Sequence, residues 1–146
     1  GSIEDACVTM LNEVGDWRRI NGESVYGSKA WETLGEGEIV NGKLKKLPGG
    51  GLGKKHAQFK FNAQDIRFTV GKNNDLYAFC MNVPSASQKV IIHALSTDKA
   101  LTDQPIKKVT LLGYKGKLSW QQTAQGLEVT YPKDAKLKTA VVFRIK

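Results

Sequence analysis

From Ala57 to the C-terminus the chain keeps one hydrophobic rhythm: apolar side chains recur at every second position, in short runs separated by turn residues. No other feature constrains the fold as much, because a period of two puts successive side chains on opposite faces of a pleated strand. The predicted strands are Gln58–Phe61, Ile66–Val70, Leu76–Val83, Lys89–Leu95, Lys107–Tyr114, Lys117–Thr123, Leu127–Tyr131 and Thr139–Ile145. Ile66, Phe68 and Val70 alternate with Arg67 and Thr69, and Val141, Phe143 and Ile145 alternate with Ala140, Val142 and Arg144. Gly71–Asp75, Pro84–Gln88 and Gln125-Gly126 supply turns. About eight short strands with no helix between them predict an antiparallel β-sandwich. Phe68, Tyr77, Phe79 and Phe143 are expected in its core.

Upstream the rhythm differs. Ile3, Cys7, Met10, Leu11, Val14 and Trp17 recur at helical spacing and form one apolar stripe. Ser2 is a suitable N-cap, Glu4 and Asp5 suit the positive end of the helix dipole, and Arg18 and Arg19 suit the other. Asn21-Gly22 offers a left-handed residue to end the helix. A single helix of roughly 17 residues is marginal in water, so the stripe needs a covering surface. From Glu23 to about His56 no periodicity survives, and Gly42 to Lys55 is almost entirely Gly, Lys, Leu and Pro. The expected class is therefore mainly β: a sandwich of about eight strands preceded by one N-terminal α-helix and a long linker. The expected division is 1–22 for the helix, 23–56 for the linker with its Gly/Lys-rich loop, and 57–146 for the sandwich.

Charge follows the same division. Residues 1–40 hold three cations against eight carboxylates, net −5, and the remainder holds nineteen against six, net +13. Two unlike parts in one chain imply an electrostatic contact between them or a domain boundary. There is no apolar run of membrane-spanning length, about 18 residues, and no leader-like N-terminus, so no membrane partner is expected. Cys7 and Cys80 are too few and too distant for a disulfide scaffold, and both read as small buried hydrophobes.

The search for chemistry returns little. Gly49 to Lys55 superficially suggests a phosphate loop, but Pro48 stands where the leading glycine belongs and Lys55 where Ser or Thr would reach magnesium. His56 and His93, the only histidines, fall in no metal-ligand spacing, and His93 reads as a structural imidazole in mid-strand. Asp16 with Glu23, or Glu36 with Glu38, are the available carboxylate pairs, and nothing in their spacing holds them at the ~5 Å that retaining glycoside hydrolysis needs. No catalytic residue, metal site or cofactor is expected. Lys43, Lys45, Lys46, Lys54 and Lys55, with His56, form a basic loop that would attract a phosphate or sulfate polymer. It has no interleaved aromatic before Phe59, so nucleic acid is not the favoured partner.

Three stretches then resemble one family. Ile20-Asn21-Gly22-Glu23-Ser24-Val25-Tyr26-Gly27, followed by Trp31, resembles the segment after the last barrel helix of α-L-fucosidases in glycoside hydrolase family 29. Phe61-Asn62-Ala63-Gln64-Asp65-Ile66-Arg67-Phe68-Thr69 resembles the first strand of that family's C-terminal domain, and Leu118-Ser119-Trp120-Gln121-Gln122-Thr123-Ala124-Gln125-Gly126-Leu127-Glu128-Val129-Thr130 resembles a late hairpin of it. Their order and spacing match, with a departure at Lys29-Ala30, where Arg-Pro is typical. The resemblance implies a parent with an N-terminal catalytic barrel that hydrolyses α-L-fucosides with retention, followed by a C-terminal β-sandwich. The nucleophile, the acid/base residue and the fucose-holding histidines would all lie in the barrel, leaving none to carry over onto this sequence. In the parent Ile3, Met10, Leu11 and Val14 would pack on that barrel, making it the expected partner. Family members are commonly secreted, periplasmic or lysosomal. The other reading is a carbohydrate-binding module that stacks fucosylated glycans on Trp31 and Trp120.

Overall fold

The computed structural model describes residues 13–37, 62–98 and 105–146. The predicted strand Gln58–Phe61, the helix positions Ile3, Cys7, Met10 and Leu11, and the basic loop lie outside them. Eight strands are present among the described residues: β1 (Lys29–Glu36), β2 (Ile66–Val70), β3 (Leu76–Cys80), β4 (Lys89–Ile92), β5 (Val109–Leu111), β6 (Ser119–Gln122), β7 (Leu127–Thr130) and β8 (Val141–Ile145). They form a five-stranded sheet in the order β1-β2-β3-β8-β5 and a three-stranded sheet in the order β4-β7-β6. Every pairing is antiparallel, as the period-two runs predicted.

The inner faces of the two sheets make the core. Ile66, Ala78, Cys80, Val141 and Phe143 of the larger sheet pack with Val90, Ile92, Leu127 and Val129 of the smaller, and none of them exceeds 1% exposure. The register brings Phe68, Ala78 and Phe143 into one row across β2, β3 and β8. Phe68, Tyr77, Phe79 and Phe143 are all buried, as expected.

Three readings are corrected. The expected linker, residues 23–56, contains β1, which pairs with β2 as the edge strand of the larger sheet, with a register shift between Ala30 and Gly35. His93 is not in mid-strand. β4 ends at Ile92, opposite Leu127, because Gly126 then closes so tightly on it that an added Cβ would stand 2.6 Å from the Ile92 carbonyl oxygen. The chain turns there into a 3₁₀ segment, His93–Leu95, and the His93 ring is exposed with Nδ1 2.9 Å from the Gln125 carbonyl oxygen. Finally, Asn21-Gly22 is not a left-handed stop. Helix α1 (residues 13–21) runs straight into a 3₁₀ turn, Gly22–Ser24, and the left-handed residue is Gly27, at φ 65°. Gly22 is needed for closeness instead, since a Cβ there would stand 2.9 Å from the Tyr26 ring.

A third layer covers the outer face of the larger sheet. Tyr77, Phe79, Leu112 and Val142 form a second buried cluster there, with Trp17 of α1 packed against it. The Trp17 ring lies 6.3 Å from that of Phe79, and its indole N–H donates to the Ala140 carbonyl at 2.8 Å. All five residues of β3 are therefore buried, on both faces.

Candidate functional site

The N-terminal segment 13–36 is held to the sandwich by specific polar contacts. The 3₁₀ turn brings Glu23 over β3 and β8, where its Oε2 accepts the Tyr77 hydroxyl at 2.8 Å and lies 3.1 Å from an Arg144 guanidinium nitrogen. Arg144 Nε donates to Asp75 Oδ2 at 2.7 Å, and Lys146 Nζ approaches the same oxygen at 4.0 Å. One residue further, the Ser24 carbonyl accepts the Thr69 hydroxyl at 2.7 Å. Burial, and then the hydrogen bond to Glu23, push the Tyr77 phenol up to about 12. It keeps its proton near neutral pH. The cluster is a cross-link between segment and sheet, built from opposite charges.

At the other end of the segment Glu36 bridges the two sheets. Its Oε1 accepts the His93 amide and its Oε2 the Ala94 amide, each at 2.8 Å, so one carboxylate caps the start of the 3₁₀ segment that follows β4. A carboxylate at such an end satisfies amide donors that otherwise lack partners. Sequence reading weighed Glu36 only as half of an acid/base pair; its role is structural. Glu36→Ala is expected to lower unfolding stability by about 1–2 kcal/mol, the cost of a lost cap and stranded amides. Glu36→Gln should recover part of it in urea titrations. An unchanged midpoint for the alanine variant would contradict this role.

The sequence-predicted sugar platforms are turned inward. Trp31 of β1 meets Phe68 edge-on at 5.0 Å and packs on the main core. Trp120 of β6 stands opposite Val129, on the core side of its sheet, and is half-buried. Neither indole offers a fully open face. Lys43, Lys45, Lys46, Lys54 and Lys55 lie outside the described residues. Among the described residues no three His, Cys, Asp or Glu side chains converge as metal ligands would.

A recess of about 230 Å³ separates α1 from the 136–140 segment, with Glu13 and Asp16 on the helix side and Lys136 and Lys138 across from them. The acidic and basic parts of the sequence meet here. The strongest surface signal is apolar. Among the described residues the exposed large hydrophobics are Val14 (50%), Ile20 (40%), Val25 (47%), Tyr26 (52%) and Leu34 (68%), all within the N-terminal segment. Its signature was legible in part, since Val14 belongs to the predicted helix stripe. Ile20 lies in the helix division but off the stripe, and Val25, Tyr26 and Leu34 lie in the stretch with no periodicity.

These features define an antiparallel β-sandwich module that carries an apolar N-terminal segment on its outer face. Residues 58–146 match the family of the alpha-L-fucosidase C-terminal domain, and the chain belongs to that family. The family implies a parent α-L-fucosidase with a catalytic domain elsewhere in the enzyme. No curated protein matched the chain in sequence.

Proposed function

We propose that this chain is a non-catalytic domain that packs against the catalytic barrel of a retaining α-L-fucosidase and stabilises it. One observation carries the reading: every strongly exposed large hydrophobic among the described residues lies between Val14 and Leu34, on α1, the turn after it and the edge strand β1, and none on β2 to β8. Apolar surface gathered on one segment marks a protein contact when scattered exposure would not. The segment itself is anchored to the sheet through Trp17, Glu23 and Glu36, so it would present that surface on a rigid base. The resemblance of residues 20–31 to the stretch after the last barrel helix supports the same partner.

The test uses the full-length parent enzyme. Replacing Val14, Val25 and Leu34 together by serine should lower its thermal midpoint by about 5 °C, as removal of apolar contact area predicts. Turnover of an aryl α-L-fucoside at low temperature should be retained, and the isolated chain carrying the same substitutions should melt where the unaltered chain does. The unaltered chain alone should not hydrolyse the fucoside. A parent midpoint that moves by less than about 1 °C, or turnover by the chain alone at the parent's rate, would overturn the proposal.

A further inference from the structure

The structure gathers a second, predominantly cationic surface that the sequence scatters. The β5–β6 loop (112–118) carries Lys115 and Lys117, and the β7–β8 loop carries Lys133, Lys136 and Lys138. The two loops are bound to each other. The Tyr114 hydroxyl donates to Asp134 Oδ1 at 2.9 Å, and Leu137 packs so closely that a Cβ added at Gly113 would stand 3.1 Å from its Cδ2. All five lysines are exposed. Lys89 and Lys146 each have a carboxylate within 4.0 Å, whereas none of these five does among the described residues. Asp134 is the one carboxylate in the two loops, and it is engaged by Tyr114. Glu13 and Asp16 border the patch across the recess beside Lys136 and Lys138, and Asp16 is paired with Arg19 at 3.1 Å.

We propose that these two loops form a binding surface for a sulfated polysaccharide. Five ammonium groups held on tied loops keep their mutual repulsion in the free protein, and a polymer with closely spaced anions relieves it by releasing condensed counterions. Lysine presents a compact, hydrated point charge on a flexible stem, which follows the sulfates of a flexible chain without the fixed bidentate geometry that an arginine fork demands. Nucleic acid fits less well. Of the two aromatic rings in these loops, Tyr131 is buried and Tyr114 is half-buried with its hydroxyl engaged, so neither offers a platform for stacking bases.

The experiment titrates the full chain with dextran sulfate, with uncharged dextran of equal length as control, at 50 and 200 mM NaCl. Binding to dextran sulfate alone is expected, weakening about ten-fold or more between the two salt concentrations. The variant with Lys115, Lys117, Lys133, Lys136 and Lys138 changed to serine should lose at least ten-fold in affinity with its thermal midpoint unchanged. A matched variant with Lys43, Lys45, Lys46, Lys54 and Lys55 changed to serine should stay within two-fold. Absence of binding would overturn the proposal, as would full binding by the first variant, the main loss in the second, or tighter binding of a single-stranded oligonucleotide of equal charge.

Discussion

Trp17→Ala is expected to cost about 3 kcal/mol of unfolding stability, the low end for removing a large aromatic because the ring is only half-buried. The loss has two sources. Phe79 and Val142 lose the ring that covers them, and the Ala140 carbonyl loses its indole donor. Trp17→Phe keeps an apolar ring without the N–H and should recover more than half of the loss. Urea titrations followed by circular dichroism measure both. A loss under 1 kcal/mol in the alanine variant would mean that α1 contributes nothing to the sandwich on which it lies.

The second large effect is a loss of stability in alkali. Burial pushes the Cys80 thiol up to about 12 from 9.0, with the Glu36 charge adding to it, and the Tyr77 phenol rises to about 12 from 10.0. Both groups are neutral when protonated, and the native state holds their protons more tightly than the unfolded chain does. Their contribution is complete below about pH 8, where neither unfolded group ionises, and is lost as pH rises through 9 and 10 toward 12. At 1.36 kcal/mol per unit the combined loss is at most about 7 kcal/mol, comparable with the whole stability of a small domain. Urea midpoints measured from pH 8 to 11.5 should fall steeply. Cys80→Ala should flatten the onset above pH 9, and Tyr77→Phe the descent above pH 10. Equal slopes in all three proteins would count against these two groups as the source.

The sandwich was legible because its inward positions are occupied by residues that announce themselves: Ile66, Phe68, Phe143 and Ile145 alternate with polar neighbours along short runs. β1 was hidden by the opposite circumstance. Its half-buried or buried positions hold Thr33, Gly35 and Glu36 beside Trp31, while Leu34 points outward at 68% exposure, so Trp31 alone marks the inward side with a large apolar ring. Glu36 was misjudged for a related reason, since its partners are backbone amides that no side-chain motif records. The covering layer did leave a signal. Leu76-Tyr77-Ala78-Phe79-Cys80 contains no polar break apart from a tyrosine hydroxyl, and a continuous apolar strand is the mark of burial on both faces. Read that way, the strand already demanded something on its outer side, and α1 with its unpartnered Trp17 was the available element.

The edge position of β1 fixes what can be moved as a unit. The family match begins at residue 58, yet the hydrogen-bonding edge of β2 is closed by a strand that ends more than twenty residues earlier. A graft cut at the family boundary would carry β2 with its row of amides and carbonyls open, and an open edge templates pairing with whatever strand comes next. The transplantable piece is therefore the sandwich together with residues 13–37, which travel as its selvedge and not as the fringe of its neighbour.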